Sequence, residues 1–241
     1  MWCAAIRHPI YQPLAPWLGL GRTREALNAA AEEAGITTES GMPVRFVPPS
    51  GKRGPYELRV HQTGRIETRD DSLHDWFNAL CWLAFPRTKA RINAMHAAEI
   101  PREQGRRGRL RDLLTIFDEG GAVVLCSDPE LVQLLRSCRW KELFWGERER
   151  VRQSMRFVVL GHAVLEQALK PWPGITCKAL FASVDDDCDA QAAAWLAGIV
   201  AGASPRDLAP LPVLGYPGWS EGQDAAFYDD ERYFRPQGKA G

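Results

Sequence analysis

The sequence predicts a helix-dominated α+β fold, built as a single domain with a small antiparallel sheet and an irregular C-terminal arm. Helical periodicity recurs along the chain, short segments typical of strands separate the helices, and proline and glycine interrupt the last part. A chain of 241 residues forms one large domain or two small ones. We expect an N-terminal helical segment over residues 1–40, an α+β core over 41–204, and the arm over 205–241, packed on the core.

The composition is that of an ordinary soluble globular protein. Apolar residues make up 45% and charged residues 25%, and the formal net charge of zero argues against a histone-like protein. No apolar run approaches the ~18 residues of a membrane-spanning helix. The N-terminus lacks the pattern of a signal peptide. The six cysteines include no Cys-x-x-Cys pair, so we expect reduced thiols in a cytoplasmic protein.

The first elements are predicted from caps and periodicity. Thr23 is a suitable N-cap for a helix that Gly35 closes. Strand-like alternation follows at 44–47 and 56–60, on either side of a Pro/Gly-rich loop, and a further short strand is expected over 65–68.

The later elements are predicted from their own start and stop signals. A helix capped by Asp70, Asp71 or Ser72 should reach about Phe85, and Pro86 either ends it or opens a second helix that reaches about Glu99. A short helix over 110–117, a turn at 120–121, a buried strand over 122–126 and a helix starting at 127–129 follow. Residues 155–170 form a strand and a helix, or one helix interrupted at Gly161, and an Ala-rich helix covers 189–202.

The helix that follows Ser72 is apolar on nearly every side, and His74, Asp75 and Asn78 are its strongly polar members. His74 and Asn78 are four residues apart and share a side of the helix. A buried imidazole or amide needs hydrogen-bond partners, a metal ion or ordered water. Two interpretations stay open: a structural polar pair, or a ligand or acid–base cluster that faces a cleft.

Two basic features are candidate anion sites. Lys89, Asn93 and His96 form a polar stripe, which is a solvated face by default, or an anion site that uses the helix N-terminus around 86–88. Residues 102–111 contain five arginines and one acid, and guanidinium groups bind phosphate or nucleic acid well. This segment also suits a solvated loop paired with acids. It contains no aromatic residue, so a stacking platform is not indicated there.

One pair of residues has the spacing of metal ligands. His162 and Glu166 lie at i and i+4, which presents a nitrogen and an oxygen donor on one helix face. Further ligands could come from His74 or from Asp118 and Glu119, although such spacing also arises by chance. P-loop, dinucleotide-binding, nucleophile-elbow and His-Glu-x-x-His motifs are absent, which argues against those enzyme classes.

Several runs of the sequence are long enough to compare with known families. They are HDWFNALCWLAFPRTKA at 74–90, RDLLT and FDE within 111–119, GHA and LE within 161–166, PLPVLG at 210–215, and FYDD and FRP within 227–236. Together they resemble the bacterial domain of unknown function family 3025, over most of the chain after about residue 40. The resemblance implies no activity, cofactor or catalytic residue, because none is established for that family.

Three functions remain open at this point. The first is a metal-assisted hydrolase acting on a phosphoester or nucleic acid, and it requires His74 and His162 to lie within about 10 Å of each other. Its candidate catalytic residues are His74, Asp75, Asn78, Lys89 and Arg111, and its candidate ligands for a divalent metal are His162, Glu166, Asp118 and Glu119. The second is a non-catalytic protein that binds an anionic ligand or nucleic acid at Arg102–Arg111. The third is a structural or adaptor protein whose polar cluster organises the core.

Overall fold

The structure is a computed structural model, and it describes residues 5–51, 54–103, 106–172, 174–184, 187–200 and 202–236. The chain is 51% helical and 13% strand, which confirms the helix-dominated α+β class. Buried apolar side chains form one core cluster that extends from Ile10 to Phe234. Within the described ranges, no helix is both long enough and apolar enough to cross a membrane.

The described part of the chain contains nine α-helices and six strands. The α-helices are α1 (Arg24–Glu33), α2 (Tyr56–Thr63), α3 (Leu73–Ala84), α4 (Pro86–Glu99), α5 (Arg109–Gly120), α6 (Pro129–Arg136), α7 (Arg148–Ser154), α8 (His162–Gln167) and α9 (Cys188–Ala197). The strands are β1 (Arg45–Val47), β2 (Arg65–Glu67), β3 (Gly121–Cys126), β4 (Met155–Val159), β5 (Thr176–Ala182) and β6 (Ala209–Pro212).

The strands form two sheets, and their pairing is mixed. β1 and β2 pair in parallel, whereas the other strands form a sheet in the order β4-β3-β5-β6. The β3–β4 and β5–β6 pairs are antiparallel as expected, but β3 and β5 run parallel. β6 lies within the predicted irregular arm, and its prolines are tolerated because it is an edge strand. The arm thus contributes a strand to the main sheet.

The segment 56–60 was predicted as a strand, and this prediction was wrong because it begins helix α2. Five alternating residues fit either period, so the flanking residues decide the structure. Pro55 occupies the N-cap, and Gly64 ends the helix in the left-handed conformation with φ of 67°. A side chain at Gly64 would also meet the carbonyl oxygen of Pro43 at 2.1 Å, so only glycine fits.

Helix α4 begins at Pro86, and its N-terminus is already occupied by a carboxylate of the chain. Asp189 of α9 accepts hydrogen bonds from the backbone N–H groups of Arg87 (2.9 Å) and Thr88 (2.8 Å). These are the donors that an external anion would have used. The anion site considered for residues 86–88 is therefore filled from within the protein.

Replacement of Asp189 by alanine is expected to lower the free energy of unfolding by about 1–3 kcal/mol, because two backbone donors lose their acceptor. Urea unfolding of the variant measures this loss. Asp189→Asn is the matched control, since its amide oxygen still accepts and its loss should be smaller. An alanine variant as stable as the wild type would contradict this account of the cap.

The turn between β4 and α8 packs directly on the C-terminal end of α5. The N–H of Gly161 donates to the carbonyl oxygen of Gly121 at 3.0 Å. A Cβ on Gly161 would lie 2.6 Å from the carbonyl oxygen of Glu119, so the contact requires glycine. This close approach places His162, the first residue of α8, beside Asp118 of α5.

Candidate functional site

A polar cavity of about 280 Å³ lies where α2, α3, α4, α5 and α8 meet. It is lined by seven of the nine candidate catalytic and metal-ligating residues, namely His74, Asp75, Asn78, Lys89, Asp118, Glu119 and His162. His74 and His162 are in contact, so the distance requirement of the hydrolase hypothesis is met. The two other candidates lie outside the lining and contact residues of it: Glu166 contacts His74, and Arg111 contacts His96.

Two histidines face each other at this cavity. The Nε2 atoms of His74 and His162 lie 3.1 Å apart. On the outer side, Nδ1 of His74 lies 3.1 Å from a carboxylate oxygen of Glu166, and Nδ1 of His162 lies 2.8 Å from the backbone oxygen of Asp118. Because a carbonyl or carboxylate oxygen only accepts, each Nδ1 carries a proton and donates it. The two Nε2 atoms are therefore available to share a proton or to bind one ion.

The two histidines differ in their exposure to solvent. The side chain of His74 is 39% exposed, whereas that of His162 is 6% exposed. Burial lowers the pKa of His162 to about 4, Asp118 opposes that shift, and Lys89 and His74 reinforce it. His162 is therefore neutral near pH 7, and its Nε2 directs a lone pair at His74.

An ion pair between Lys89 and Asp118 lines the cavity beside His162. Nζ of Lys89 lies 2.5 Å from a carboxylate oxygen of Asp118 and 2.7 Å from the amide oxygen of Asn78. Burial acts to raise the pKa of Asp118, but Lys89, through its charge and its hydrogen bond, and the neighbouring His162 hold it below its usual range. The charge of Lys89 is thus neutralised inside the protein.

The polar stripe on α4 is not solvated, so the default interpretation was wrong. Lys89, Asn93 and His96 are all buried. The amide nitrogen of Asn93 donates to the backbone oxygen of Glu57 at 2.8 Å, while its amide oxygen has no partner among the described atoms. The stripe was misjudged because its covering element, α2, was expected to be a strand.

Arg111 is held in an ion-pair network beside the cavity rather than within its lining. Its guanidinium donates to Glu103 at 2.7 Å, to Glu57 at 3.2 Å and to Nδ1 of His96 at 3.1 Å. Asp75 is likewise engaged, since it accepts two side-chain hydrogen bonds of 2.8 Å from Arg69. These two candidates have structural partners, and their predicted catalytic role stays a prediction.

His96 makes the stability of the protein depend on pH. Burial lowers its pKa to about 4, with Glu57 opposing the shift and Arg111 reinforcing it. An unfolded histidine titrates near ~6.5, so the unfolded state binds more protons between the two values. The contribution of His96 to the free energy of unfolding is complete above about pH 6.5. Protonation of His96 lowers that free energy by up to about 3 kcal/mol toward pH 4. His162, whose pKa is lowered in the same way, adds a similar slope. Urea unfolding at several pH values measures the total, and His96→Gln should remove about half of it; an unchanged slope would contradict the assignment.

The arginine-rich segment is largely paired with acids. Its ion pairs join Arg102 to Glu99, Arg107 to Asp112, and Arg111 to Glu57 and Glu103. Arg106 and Arg109 are exposed, and residues 104–105 lie outside the described part. Binding of an anion or nucleic acid by this segment stays a prediction.

The predicted metal ligands are only partly brought together. Across the described residues, no group of three or more His, Cys, Asp or Glu side chains is arranged to hold a metal ion. The donor atoms that meet are the Nε2 atoms of His74 and His162. Glu166 stands behind His74, and the carboxylate of Asp118 is engaged by Lys89. Glu119 lines the cavity and is exposed.

Sequence reasoning missed several residues of this cavity. These are Tyr56, Glu57 and Thr115, which belong to its lining. Tyr56 and Glu57 belong to α2, so the assignment of that segment to a strand concealed them. The signal that could have found them was Pro55 before the segment and Gly64 after it, which is a helix start and stop.

Comparisons with known proteins agree with the motifs quoted above. No curated protein and no solved structure matches the chain. A family model described as Protein of unknown function (DUF3025) matches residues 44–238. This match includes every helix that lines the cavity and the six strands. The chain therefore belongs to the family Protein of unknown function (DUF3025).

Proposed function

We propose that the cavity is the active site of a metal-assisted hydrolase that acts on a phosphoester, with His74 and His162 as metal ligands. The observation that carries this proposal is the pair of Nε2 atoms, which face each other while both Nδ1 atoms donate to oxygen. Metal-binding histidines almost always donate their other ring N–H to a carboxylate or a backbone carbonyl. Glu166 and the backbone of Asp118 are these acceptors.

The spacing of the two nitrogens also suits one ion. Two nitrogen ligands, each ~2.0–2.1 Å from an ion and about 90–109° apart, are separated by roughly 2.8–3.4 Å. The observed separation is 3.1 Å. His74 is partly exposed, so the remaining coordination positions would be open to water or substrate, as in catalytic sites. A bound divalent ion supplies a nucleophilic hydroxide at neutral pH and polarises a phosphoryl oxygen.

The charges of the cavity indicate how an anionic substrate would bind. No guanidinium group lines the cavity in the described ranges, and its ammonium group, on Lys89, is neutralised by Asp118. A phosphate group therefore meets carboxylates rather than free cations. Anion binding should depend on an added metal ion. Glu119, an exposed carboxylate of the lining, is the group that we assign to accept a proton from water.

Calorimetric titration tests this proposal. We expect Zn²⁺ or Mn²⁺ to bind the protein, and inorganic phosphate to bind the metal-loaded protein but not the metal-free protein. Hydrolysis of bis(4-nitrophenyl) phosphate should then require the metal and stop with a chelator. Absence of metal binding, or phosphate binding of equal strength without metal, would reject the proposal.

A second candidate is an acid–base site that uses no metal. The hydrogen-bond geometry is also complete when His74 carries both ring protons and donates to Glu166 and to His162. The imidazolium of His74 would then be the proton donor of a hydrolase. Activity that survives chelation would favour this candidate over the metal-assisted one.

The predicted location in the cytoplasm of a bacterium also belongs to this proposal. The cysteines support the compartment, because the five in the described part of the chain are free thiols. Free thiols that persist are typical of a reducing compartment.

A further inference from the structure

A second and larger cavity, of about 1010 Å³, lies on the other side of α5. It runs along β5 and β6 and is closed by the ends of α6 and α9 and by the last residues of the described chain. Ile116 and Gly120 of α5 contribute to it, whereas Thr115, Asp118 and Glu119 of the same helix face the histidine cavity. The two cavities share no lining residue, so the larger one, called the groove below, is separate from the cavity that contains His74 and His162.

The groove is strongly basic although the chain as a whole is neutral. Its charged lining consists of Arg136, Lys178, Arg206, Arg232, Arg235 and a single acid, Asp207. Arg232 is paired with Asp230. The other four cations make no ion pair with any described residue. The carboxylate of Asp207 is itself engaged, since it accepts hydrogen bonds from the backbone and hydroxyl of Ser204.

Aromatic rings lie among these cations. Trp172 is 53% exposed, although tryptophan side chains are highly buried on average. Phe181 and Trp195 are half-buried in the same groove. The guanidinium of Arg136 lies over the ring of Phe181, 4.4 Å from its centroid. Charged groups and aromatic rings therefore line the same surface, and the indole of Trp172 is the most exposed of the three rings.

We propose that this groove binds single-stranded nucleic acid. Proteins that bind single strands combine cations that follow the phosphates with aromatic rings on which unpaired bases stack. Both are present here, whereas the arginine-rich segment at 102–111 has no aromatic residue and most of its described arginines are ion-paired. A duplex would not use the exposed ring of Trp172, because its bases are already stacked. The groove is thus suited to a flexible polyanion with planar groups.

Fluorescence anisotropy with labelled single-stranded RNA and DNA of about 16 nucleotides tests the proposal. We expect binding at low salt that weakens as salt rises. If the four unpaired cations each contact a phosphate, the slope of log K against log salt is about −2.8, at ~0.7 per contact. A duplex of the same sequence and polyphosphate, which has no bases, should bind at least about tenfold more weakly than the single strands.

Two variants separate the two contributions. Arg136→Ala should reduce the salt slope by about 0.7. Trp172→Ala should weaken binding about tenfold and leave the slope unchanged, because stacking is independent of counterions. Arg65→Ala and Trp145→Ala are the matched controls, since both residues are exposed and lie outside the groove.

The outcomes that overturn the proposal are distinct. One is the absence of binding to either single strand at low salt. Another is polyphosphate binding as tight as that of RNA together with no effect of Trp172→Ala, which would describe a general anion patch. Equal losses in the control variants would place the binding outside the groove. None of these outcomes bears on the histidine cavity, which has its own metal test.

Discussion

Replacement of His74 or His162 by alanine is expected to abolish metal binding and the metal-dependent hydrolysis of a phosphodiester. Each variant removes one of the two nitrogen donors that face each other at 3.1 Å. Loss of an outer partner of a ligand typically costs about 10–100-fold in metal affinity or activity, and loss of a ligand itself should cost more. Calorimetry with Zn²⁺ and initial rates with bis(4-nitrophenyl) phosphate measure both effects.

Glu166 provides a graded version of the same experiment. Glu166→Ala removes the acceptor that orients His74 and should weaken metal binding about 10–100-fold. Glu166→Gln keeps an oxygen that accepts from Nδ1, so its loss should be smaller. His61→Ala is the histidine control, because His61 lies on α2 and outside the cavity lining.

A purely structural role of the two histidines makes a different prediction. His74→Ala would then lower the melting temperature. Glu166→Ala would not have a lower metal affinity or a lower hydrolysis rate than Glu166→Gln. Thermal unfolding of each variant, with and without metal, separates the two cases. Metal that stabilises the wild type and not His74→Ala would support a ligand role, since a ligand stabilises the state that binds it.

Replacement of Lys89 by methionine is expected to destabilise the fold by about 3 kcal/mol. Nζ of Lys89 is buried and neutralises Asp118, whose side chain is 22% exposed. Breaking a buried ion pair by removing one partner typically costs 3–5 kcal/mol, and the partial exposure of Asp118 places this case at the lower end. Chemical unfolding of the variant at neutral pH measures the loss.

The pH dependence of that variant identifies the cause. Without the ammonium of Lys89, burial raises the pKa of Asp118, so the variant regains stability relative to the wild type as pH falls and Asp118 becomes neutral. The double variant Lys89→Met/Asp118→Asn should be more stable than Lys89→Met alone, because the isolated buried charge is gone. If both variants were equally unstable at every pH, lost packing rather than lost charge would explain the effect.

Much of the fold could be predicted because its signals are local. Thr23 caps α1, Ser72 is the member of its acidic run that caps α3, and Asp128 caps α6. β3 was recognisable as a continuous apolar run because both of its faces are covered. Neither β5 nor β6 was predicted. For β6 the reason is its prolines, since a strand interrupted by proline is recognisable only from the edge position that it takes in the sheet.

The candidate site was also predictable only in part from the sequence. Its residue types were apparent from the sequence, since polar groups on the apolar helix α3 stand out and His162 and Glu166 share a helix face. Their partners were not apparent. Glu166 was expected to be a metal ligand next to His162, yet it bonds to His74, which is 92 residues away in the chain. The expected anion site at the start of α4 is filled by Asp189, which is about 100 residues from the donors it binds.

The sequence by itself determined the fold class, the family and the residues able to carry chemistry, because helix caps, periodicity and family motifs are written in neighbouring residues. The tertiary structure alone decided which groups face one another. Whether Lys89 is a free cation or a neutralised one, and whether two histidines share a proton or an ion, depends on contacts between distant helices. Those contacts are set by packing, such as the close approach of Gly161 to α5, which no local pattern encodes.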